Sequence, residues 1–399
     1  MESPKHAPDK IRVCTVVGDL FFGGGENRTF SISKSIDRNR FDHFLCVINE
    51  FDEEKDEHFG TLVDEIQSSG INVHRLGKKS AAKSGIIGQV KSWLTAIFLL
   101  RKFIREFSID IVDAHNNVAT LTSPFACFGT KAKCVLTRYH VQPWSSFSRF
   151  LPGQLAFALS DVLLTDSRVR ADEMLKFAIR DPKRCEVIPN GVIPPKPTIS
   201  REEALRRVGI NDDGDFKVIG QVASLKRFKG HTTLIEAAKL VIDEIPNVYF
   251  VNVGYVREDS SFPDELKQQI DELGLRDRFK LVSYPGPIGD LWQLFDQHVH
   301  ASWFDSMPQA IIEAMSLTKP SVVTNVGGIP DMIKHEVSGL VVEPKKARSL
   351  ADNIIRLLKN ESLARQLADQ AHQKYLQDCR PETMISRLEN VFEDLISAT

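Results

Sequence analysis

Residues 302–315 read SWFDSMPQAIIEAM, and this stretch contains the sharpest structural signal in the chain. A strand candidate that begins at His298 ends at the first of these residues, and an apolar helical pattern begins at Pro308. Ser306 is a residue type that caps helices, and proline suits a first helical turn. The early backbone N–H groups of such a helix attract an anion. The sequence therefore predicts a strand, a short turn and a helix whose N-terminus faces a phosphate.

Two acidic residues, Asp305 and Glu313, lie eight residues apart in this stretch. Along one helix that spacing corresponds to about 12 Å and roughly 80° of rotation. A retaining glycoside hydrolase needs carboxylates roughly 5 to 5.5 Å apart, so that class is disfavoured. The spacing favours two acceptors that hold hydroxyl groups at separate ends of an extended ligand, with its phosphate between them. The alternatives are a helix-terminal charge at Asp305 and a structurally paired carboxylate at Glu313, which lies among apolar residues and needs a partner.

Strand and helix patterns alternate on both sides of this stretch, in two separate series. The first series begins with an apolar run at Ile11–Val17, and the second begins with one at Phe216–Val222. Alternation of this kind is typical of a parallel sheet covered by helices on both faces. We therefore predict two consecutive α/β domains, each with its own sheet.

A proline-rich segment separates the two series. Residues 189–197 contain four prolines, which stiffen the backbone and disfavour a helix. We place the junction there and predict a first domain at 1–190, a second at 191–375 and a C-terminal helix at 376–399 that returns to the first domain. Ligands of such sheets bind beyond the carboxyl ends of the strands, so the two doubly wound domains are expected to face each other across a cleft.

A basic loop follows the first strand candidate of the second series. Lys226, Arg227 and Lys229 precede a helix that begins near Thr232, and cations beside a helix N-terminus suit a phosphate. A departing diphosphate needs its charge neutralised, and Lys229 or Arg227 would do so by charge-assisted hydrogen bonds. A solvated basic loop is an equally good interpretation of this segment alone.

Two glycine-rich turns also follow strand candidates. Gly24 and Gly25 precede the first helix, where glycine lets the backbone approach a ligand closely. The pattern is not Gly-x-Gly-x-x-Gly, so a nicotinamide-dependent oxidoreductase is disfavoured. Gly328 lies in a second sharp turn, after the strand candidate Ser321–Thr324. Each turn is either a ligand site or a structural feature.

His115 and His140 each follow a strand candidate of the first series. A lone histidine is usually structural. Two of them at equivalent strand ends favour a role at the ligand edge of the sheet, where an imidazole would bond a sugar hydroxyl or an acceptor.

The composition is that of a globular protein and limits the partners that we expect. The 51 basic and 53 acidic side chains among 399 residues leave a net charge of −2, which disfavours general nucleic-acid binding. No segment is long and apolar enough to span a bilayer, and the N-terminus lacks the apolar core of a secretory signal, so a cytoplasmic protein is expected. The six cysteines are scattered and are predicted to be buried thiols rather than disulfides or a zinc site.

A long amphipathic helix begins at Ile86, with Lys91, Arg101, Lys102 and Arg105 beside its apolar positions. Such a pattern is compatible with peripheral contact with the cytoplasmic face of a membrane. An ordinary helix packed on its sheet is the more common arrangement.

Several segments together resemble glycosyltransferase family 4. They include that family's C-terminal signature, its interdomain stretch, its glycine loop and its histidine-containing strand end, and they occur in the family's order over most of the chain. The matching segments are 23–26, 113–116, 187–192, 304–315, 319–330 and 338–342. The resemblance implies a GT-B fold, with two Rossmann-like domains, and retaining transfer from a nucleotide sugar bound mainly by the second domain. It also implies that neither a metal nor a cofactor takes part.

Site residues follow from the same resemblance, by matching position. Asp305 stands at the first Glu of the family's Glu-x7-Glu motif, which contacts the donor sugar, and Glu313 stands at the second, which holds the ribose. Gln309 and Ala310 would offer backbone N–H groups to the diphosphate. Lys229 would be its cation.

His115 matches the family's side chain beside the sugar and the acceptor. Two positions depart from the family pattern. Asp305 is one methylene shorter than the usual Glu, and Ser224 stands where an Arg usually accompanies the Lys of Gly-Arg-Leu-x3-Lys-Gly. Arg227 or Lys226 would have to replace that missing cation.

The sequence thus predicts a glycosyltransferase that moves a sugar from a nucleoside diphosphate donor to a hydroxyl of a glycan or lipid-linked acceptor, as in polysaccharide, lipopolysaccharide or glycolipid biosynthesis. Two alternatives stay open. Ser224 and Asp305 motivate a non-catalytic homologue that binds sugar nucleotides. A nucleotide-sugar 2-epimerase would also use two such domains, but without an acceptor.

Overall fold

The protein is described by a computed structural model that covers residues 10–19, 24–49, 66, 71, 73–78, 85–138, 147–178, 184–211, 214–254 and 261–398. It divides into two compact units, which we call the first and second domains. The first comprises Met1–Gly191 and Pro381–Thr399, and the second comprises Val192–Arg380. Within the described ranges, no helix is both long and apolar enough to cross a membrane.

The first domain is built on a seven-stranded parallel sheet with the strand order β3-β2-β1-β4-β5-β6-β7. Its strands are β1 (Ile11–Val17), β2 (Phe41–Asn49), β3 (Val73–Lys78), β4 (Ile111–His115), β5 (Lys133–Arg138), β6 (Val162–Thr165) and β7 (Cys185–Val187). Its helices before the domain junction are α1 (Gly24–Ser35), α2 (Ile86–Glu106), α3 (Asn116–Cys127), α4 (Phe147–Leu159) and α5 (Arg168–Phe177). The parallel sheet predicted from the alternating patterns is confirmed.

Apolar side chains fill both faces of this sheet. Cys14 and Val16 of β1 point to one face and pack with Leu100 of α2, whereas Val13 points to the other face and packs with Ile32 of α1. Burial on both faces explains why the central strands are almost continuously apolar. The short edge strand β7 was not predicted, because three residues do not show a periodic pattern.

The second domain has a six-stranded parallel sheet with the order β10-β9-β8-β11-β12-β13. Its strands are β8 (Lys217–Val222), β9 (Val248–Val253), β10 (Phe279–Val282), β11 (Gln297–His300), β12 (Ser321–Thr324) and β13 (Leu340–Val342). Its helices are α6 (Arg201–Arg207), α7 (His231–Glu244), α8 (Phe262–Glu272), α9 (Gly289–Trp292), α10 (Gln309–Ser316), α11 (Ile329–Met332), α12 (Ala347–Lys359) and α13 (Glu361–Lys374).

The chain returns to the first domain through its last helix, α14 (Pro381–Ser397). A π-helical turn, Tyr375–Cys379, precedes it, so this last helix begins at Pro381 rather than at residue 376. Phe392 of α14 is fully buried and its ring meets Phe41 edge to face at 6.2 Å. The side chain of Glu389 accepts a hydrogen bond of 2.7 Å from the backbone N–H of Asp37 and also pairs with Arg40.

This contact predicts that α14 is part of the first domain's stability. Phe392→Ala removes a fully buried ring and should lower the free energy of unfolding by about 3–5 kcal/mol. The exposed Ser397→Ala on the same helix is the control and should change it by less than about 0.5 kcal/mol. Urea unfolding followed by circular dichroism measures both, and equal effects of the two substitutions would contradict the packing described.

Candidate active site

Three loops of the second domain meet beyond the carboxyl ends of adjacent strands. The loop after β8 contains a 3₁₀ turn, Arg227–Lys229, the loop after β11 contains Asp305, and the loop after β12 contains Gly327. Strands β8, β11 and β12 are neighbours in the sheet, so the loops that follow them converge. This edge is where open α/β sheets bind their ligands.

The carboxylate of Asp305 is the centre of a hydrogen-bond network. Its Oδ2 atom accepts from Lys229 Nζ at 2.5 Å, from His300 Nε2 at 2.9 Å and from the Ser302 hydroxyl at 3.2 Å. Its Oδ1 atom accepts from the backbone N–H of Ser306 at 3.0 Å. These four donors come from the ends of two strands that are far apart in sequence.

The network holds Asp305 in its ionised form. Burial by itself would raise the pKa of this carboxyl group, but the hydrogen bond from His300 and the positive charge of Lys229 outweigh burial and hold the pKa well below its usual range. Burial lowers the pKa of His300, which therefore remains a neutral imidazole at pH 7 and donates from Nε2. The site thus contains one partly buried cation paired with one partly buried anion.

A close backbone approach positions Lys229. Gly230 has a φ of +72°, and a Cβ atom at this position would lie 1.9 Å from the carbonyl oxygen of Ala301. The backbone N–H of Trp303 donates to the carbonyl of Phe228 at 2.7 Å. The turn that carries Lys229 is therefore attached directly to the loop that carries Asp305.

A second close approach lies on the other side of Asp305. Gly327 has a φ of +52°, and a Cβ atom there would lie 1.8 Å from the carbonyl oxygen of Asp305. The backbone N–H of Gly328 donates to the carbonyl of Ser306 at 2.7 Å. In this structure Gly328, predicted as a binding residue, supports the loop that contains Asp305.

Helix α10 begins at Gln309, and Pro308 is its N-cap. The N-cap position is thus occupied by Pro308, and Ser306, the residue expected there, lies two positions earlier in the preceding turn. Gln309 and Ala310 lie in the first helical turn, where backbone N–H groups have no acceptor within the helix. This position agrees with their predicted contact with an anion, which stays a prediction.

The geometry predicted for Asp305 and Glu313 is also wrong in one respect. Asp305 precedes the first residue of α10, so the separation of about 12 Å along a continuous helix does not apply. The partner expected for Glu313 is present, because Trp292 Nε1 donates to its Oε2 atom at 2.8 Å. Burial raises the pKa of Glu313, and the hydrogen bond from Trp292 offsets part of this rise.

Arg227 lies apart from the network around Asp305. Its guanidinium forms two hydrogen bonds with the carboxylate of Glu265, at 2.6 and 2.7 Å, and stacks over the ring of Phe262 at 4.7 Å. The Ser224 carbonyl accepts a hydrogen bond from His231 Nε2 at 2.9 Å. Among the cations predicted for the diphosphate, Lys229 is the one bonded to Asp305.

The first domain contains its own buried pair of polar residues. His115 is the last residue of β4, and its Nε2 atom lies 2.7 Å from Asp113 Oδ2. Thr137 of β5 donates to the other oxygen of Asp113 at 2.6 Å. Burial opposes ionisation of Asp113, but the interaction with His115 outweighs it and lowers the pKa. His115 is thus held in a fixed orientation at the carboxyl edge of its sheet.

The other residues predicted for a site in the first domain are the glycines of its glycine-rich turn and His140. Gly24 and Gly25 are the first two residues of α1. Gly23 and His140 lie outside the described residues.

Sequence reasoning missed His300, Ser302 and Trp292 as parts of this site. One signal was available for His300, because a histidine inside a strand that is buried on both faces needs a polar partner. For Trp292, which lies 21 residues before Glu313, the sequence contains no such signal. Within the part of the chain that the structure describes, no group of three or more His, Cys, Asp or Glu residues could hold a metal ion.

Comparison with known families identifies the protein. Residues 202–374 match the family model described as Glycosyl transferases group 1, and residues 22–194 match the model described as Glycosyltransferase Family 4. The chain belongs to glycosyltransferase family 4. It is therefore a glycosyltransferase, as the sequence predicts.

Curated relatives of this glycosyltransferase support that assignment. The chain is 25% identical over 283 residues to UDP-Gal:alpha-D-GlcNAc-diphosphoundecaprenol alpha-1,3-galactosyltransferase of Escherichia coli. The aligned region covers 68% of this chain and 72% of that galactosyltransferase. It is 24% identical over 180 residues to N-acetyl-alpha-D-glucosaminyl L-malate synthase of Bacillus anthracis, covering 45% of this chain and 46% of the synthase. The chain thus aligns with less than half of the length of the second relative.

Solved structures confirm the fold of this glycosyltransferase. A glycosyltransferase of Rickettsia africae superposes with a TM-score of 0.80 at 20% identity, over 98% of this chain and 100% of that one. HepE of Anabaena, in complex with UDP and glucose, superposes with a TM-score of 0.78 at 20% identity, over 96% and 99% of the two chains. The predicted GT-B fold with two Rossmann-like parallel-sheet domains is confirmed.

The site geometry predicts that Gly327 tolerates no side chain. Gly327→Ala would place a Cβ atom against the carbonyl of Asp305, so the loop must move and the protein should lose more than about 1 kcal/mol of stability. Gly274→Ala is a matched control, because Gly274 has a similar φ of +66° with nothing within 4 Å of the added Cβ.

Both variants place an alanine at a positive φ, but only Gly327→Ala creates a steric overlap. The difference between their melting temperatures therefore measures the effect of the overlap. We expect Gly327→Ala to be the less stable variant. Equal melting temperatures would show that the loop after β12 does not constrain Asp305.

Proposed function

We propose that this enzyme transfers a sugar, with retention of configuration, from a nucleoside diphosphate sugar to a hydroxyl of a glycan or lipid-linked acceptor. The observation that carries this proposal is the partly buried Lys229–Asp305 ion pair in the second domain, at a sheet edge that also contains the start of α10. Withdrawing charges from water has a free-energy cost, so a partly buried ion pair at the ligand edge of the sheet favours a binding role for both charges. A donor offers a diphosphate for Lys229 and sugar hydroxyls for Asp305.

The charges of this site match the charge that develops during transfer. When the bond between the anomeric carbon and the diphosphate oxygen breaks, negative charge accumulates on the departing phosphate. Lys229 and the backbone N–H groups of Gln309 and Ala310 would stabilise it. The acceptor hydroxyl oxygen forms the new bond to the anomeric carbon on the same face, and the departing phosphate oxygen takes its proton. No protein nucleophile and no metal ion are needed in this scheme.

Glu313 would hold the ribose of the donor. Its carboxylate is oriented by Trp292 through one oxygen, and two ribose hydroxyls are donors that suit a carboxylate. His115, held by Asp113 in the first domain, is proposed to act on the sugar and acceptor side. Arg227 would contact the diphosphate only after leaving Glu265.

Uridine diphosphate sugars are the first donors to test. The name of the Escherichia coli relative includes UDP-Gal, and the Anabaena structure contains UDP and glucose. We also propose a cytoplasmic location. All six cysteines are free thiols, and thiols stay reduced in the cytoplasm. If the acceptor is lipid-linked, the reaction would then take place at the cytoplasmic face of the membrane that holds it.

A thermal-shift screen with UDP-, GDP- and ADP-sugars identifies the donor, since a ligand of the folded state raises the melting temperature. The bound donor is then incubated with and without acceptors, and the anomeric configuration of the product is read by NMR. A retained configuration supports the proposal. An epimerised donor without acceptor would identify an epimerase, and binding without any turnover would identify a non-catalytic homologue.

Lys229→Ala should lower the rate of transfer by a factor of about 10² to 10³, because it removes a donor aimed at the departing charge. Lys267→Ala on α8 is the control for loss of a surface lysine, since this side chain is 65% exposed, and it should leave the rate unchanged. Steady-state kinetics with the donor found above measure both. Rates within a factor of two for Lys229→Ala and the wild type would contradict the role of Lys229.

Donor binding should weaken at low pH through Glu313. Because its pKa is raised, the carboxylate that holds the ribose is fully ionised only above that pKa, and donor affinity should fall as the pH drops through it. The fall should begin at a higher pH than for an ordinary glutamate, whose pKa is about 4.3.

Isothermal titration calorimetry between pH 5 and 8 measures this dependence. Glu313→Gln, which keeps the shape and loses the charge, should bind more weakly and without this pH dependence. The same pH profile in the variant and the wild type would assign the titration to another group.

A further inference from the structure

Helix α2 has two apolar faces, and among the described residues only one of these faces is packed against the rest of the domain. On one side, Ala96, Leu100, Phe103 and Ile104 pack into the core of the first domain. On the other side, large apolar side chains are exposed to solvent, with Ile87 at 87% and Phe98 at 67% of their full exposure. The exposed set comprises Ile86, Ile87, Val90, Leu94 and Phe98, which we call the outer face of α2.

The spacing of these residues makes the outer face continuous. Ile86, Val90, Leu94 and Phe98 follow one another at intervals of four residues, which places them in one row along about 18 Å of the helix. Exposed apolar residues normally occur singly, and a contiguous row of them indicates an interaction surface.

A neighbouring segment extends this surface. The guanidinium of Arg101 on α2 donates to the backbone carbonyls of Ala126 and Phe128 at the end of α3. Phe128, which is 64% exposed, therefore lies next to the C-terminal half of α2. A large aromatic ring beside the row suits an interfacial environment.

The charges around the outer face all have one sign. Residues 85–105 contain Lys91, Arg101, Lys102 and Arg105 and no acidic residue, and Glu106 is the first carboxylate of the helix. Lys91, Lys102 and Arg105 are exposed. On a helix with 100° per residue, all four basic residues lie within about 100° of Leu94. A partner of the outer face of α2 must therefore have both an apolar region and negative charge.

We infer that the outer face of α2 docks the protein on an anionic lipid surface. Apolar side chains would enter the boundary between headgroups and acyl chains, while the exposed Lys91, Lys102 and Arg105 meet lipid phosphates, as in interfacial amphipathic helices. A second copy of this chain fits less well, because a two-fold contact would place the basic residues of one helix against those of the other. This inference rests on the surface of the first domain and does not depend on the transfer reaction.

Flotation with vesicles of phosphatidylcholine alone, or of phosphatidylcholine and phosphatidylglycerol at 3:1, tests the inference. The wild-type protein should float with the anionic vesicles and at least tenfold less with the neutral ones. Ile87→Glu combined with Phe98→Glu should reduce the bound fraction at least tenfold. Val337→Glu, which changes an apolar residue of the second domain that is 45% exposed, is the control and should bind as the wild type does.

A second pair of substitutions tests the charges separately. Lys91→Ala and Lys102→Ala should each weaken binding to the anionic vesicles by about fivefold. Melting temperatures equal to that of the wild type show that each variant is folded. Failure of the wild type to float, or equal flotation of the Ile87→Glu, Phe98→Glu variant, would overturn the inference. So would a dimer in sedimentation velocity that this variant abolishes, because the outer face would then join two copies.

Discussion

The second domain depends on keeping one carboxylate charged where little water reaches it. An isolated buried charge is prohibitively costly, so Asp305 must have donors on all sides. Lys229 comes from the loop after β8, and His300 and Ser302 come from the end of β11. These segments reach the carboxylate only if their backbones almost touch. That requirement explains Gly230 and Gly327, each of which lies where a Cβ atom would collide with a carbonyl oxygen.

The first domain uses the same physical solution on a smaller scale. Asp113 is buried inside β4, and its two oxygens accept from His115 and Thr137 on neighbouring positions of the sheet. In both domains a carboxylate that is largely withdrawn from water bonds a histidine at the carboxyl end of a strand. The difference is that Asp305 also pairs with a lysine. The site of the second domain therefore contains both a positive and a negative side chain that a ligand could contact.

Two departures from the family pattern are explained by local contacts. Asp305 is shorter than the usual Glu, and its Oδ2 atom lies within hydrogen-bond distance of His300 and Ser302. At Ser224 the backbone carbonyl accepts a hydrogen bond from His231 Nε2. Arg227, one of the two proposed replacements for the absent arginine, is engaged by Glu265. In the proposed reaction, the negative charge of the donor's diphosphate would therefore be neutralised mainly by Lys229 and by the N-terminus of α10.

The sequence by itself determined the features that depend on neighbouring residues. Alternating apolar runs predicted both parallel sheets, the prolines of residues 189–197 indicated where the two domains meet, and the motif around residues 304–315 indicated the family. Only the tertiary structure decided that α10 begins at Gln309, that Trp292 holds Glu313, and that Lys229 meets Asp305 across 76 positions of sequence. Periodicity reports which face of an element is apolar, whereas these contacts depend on which strands are neighbours in the sheet. Strand order is a property of the whole domain, so no local segment of the sequence specifies it.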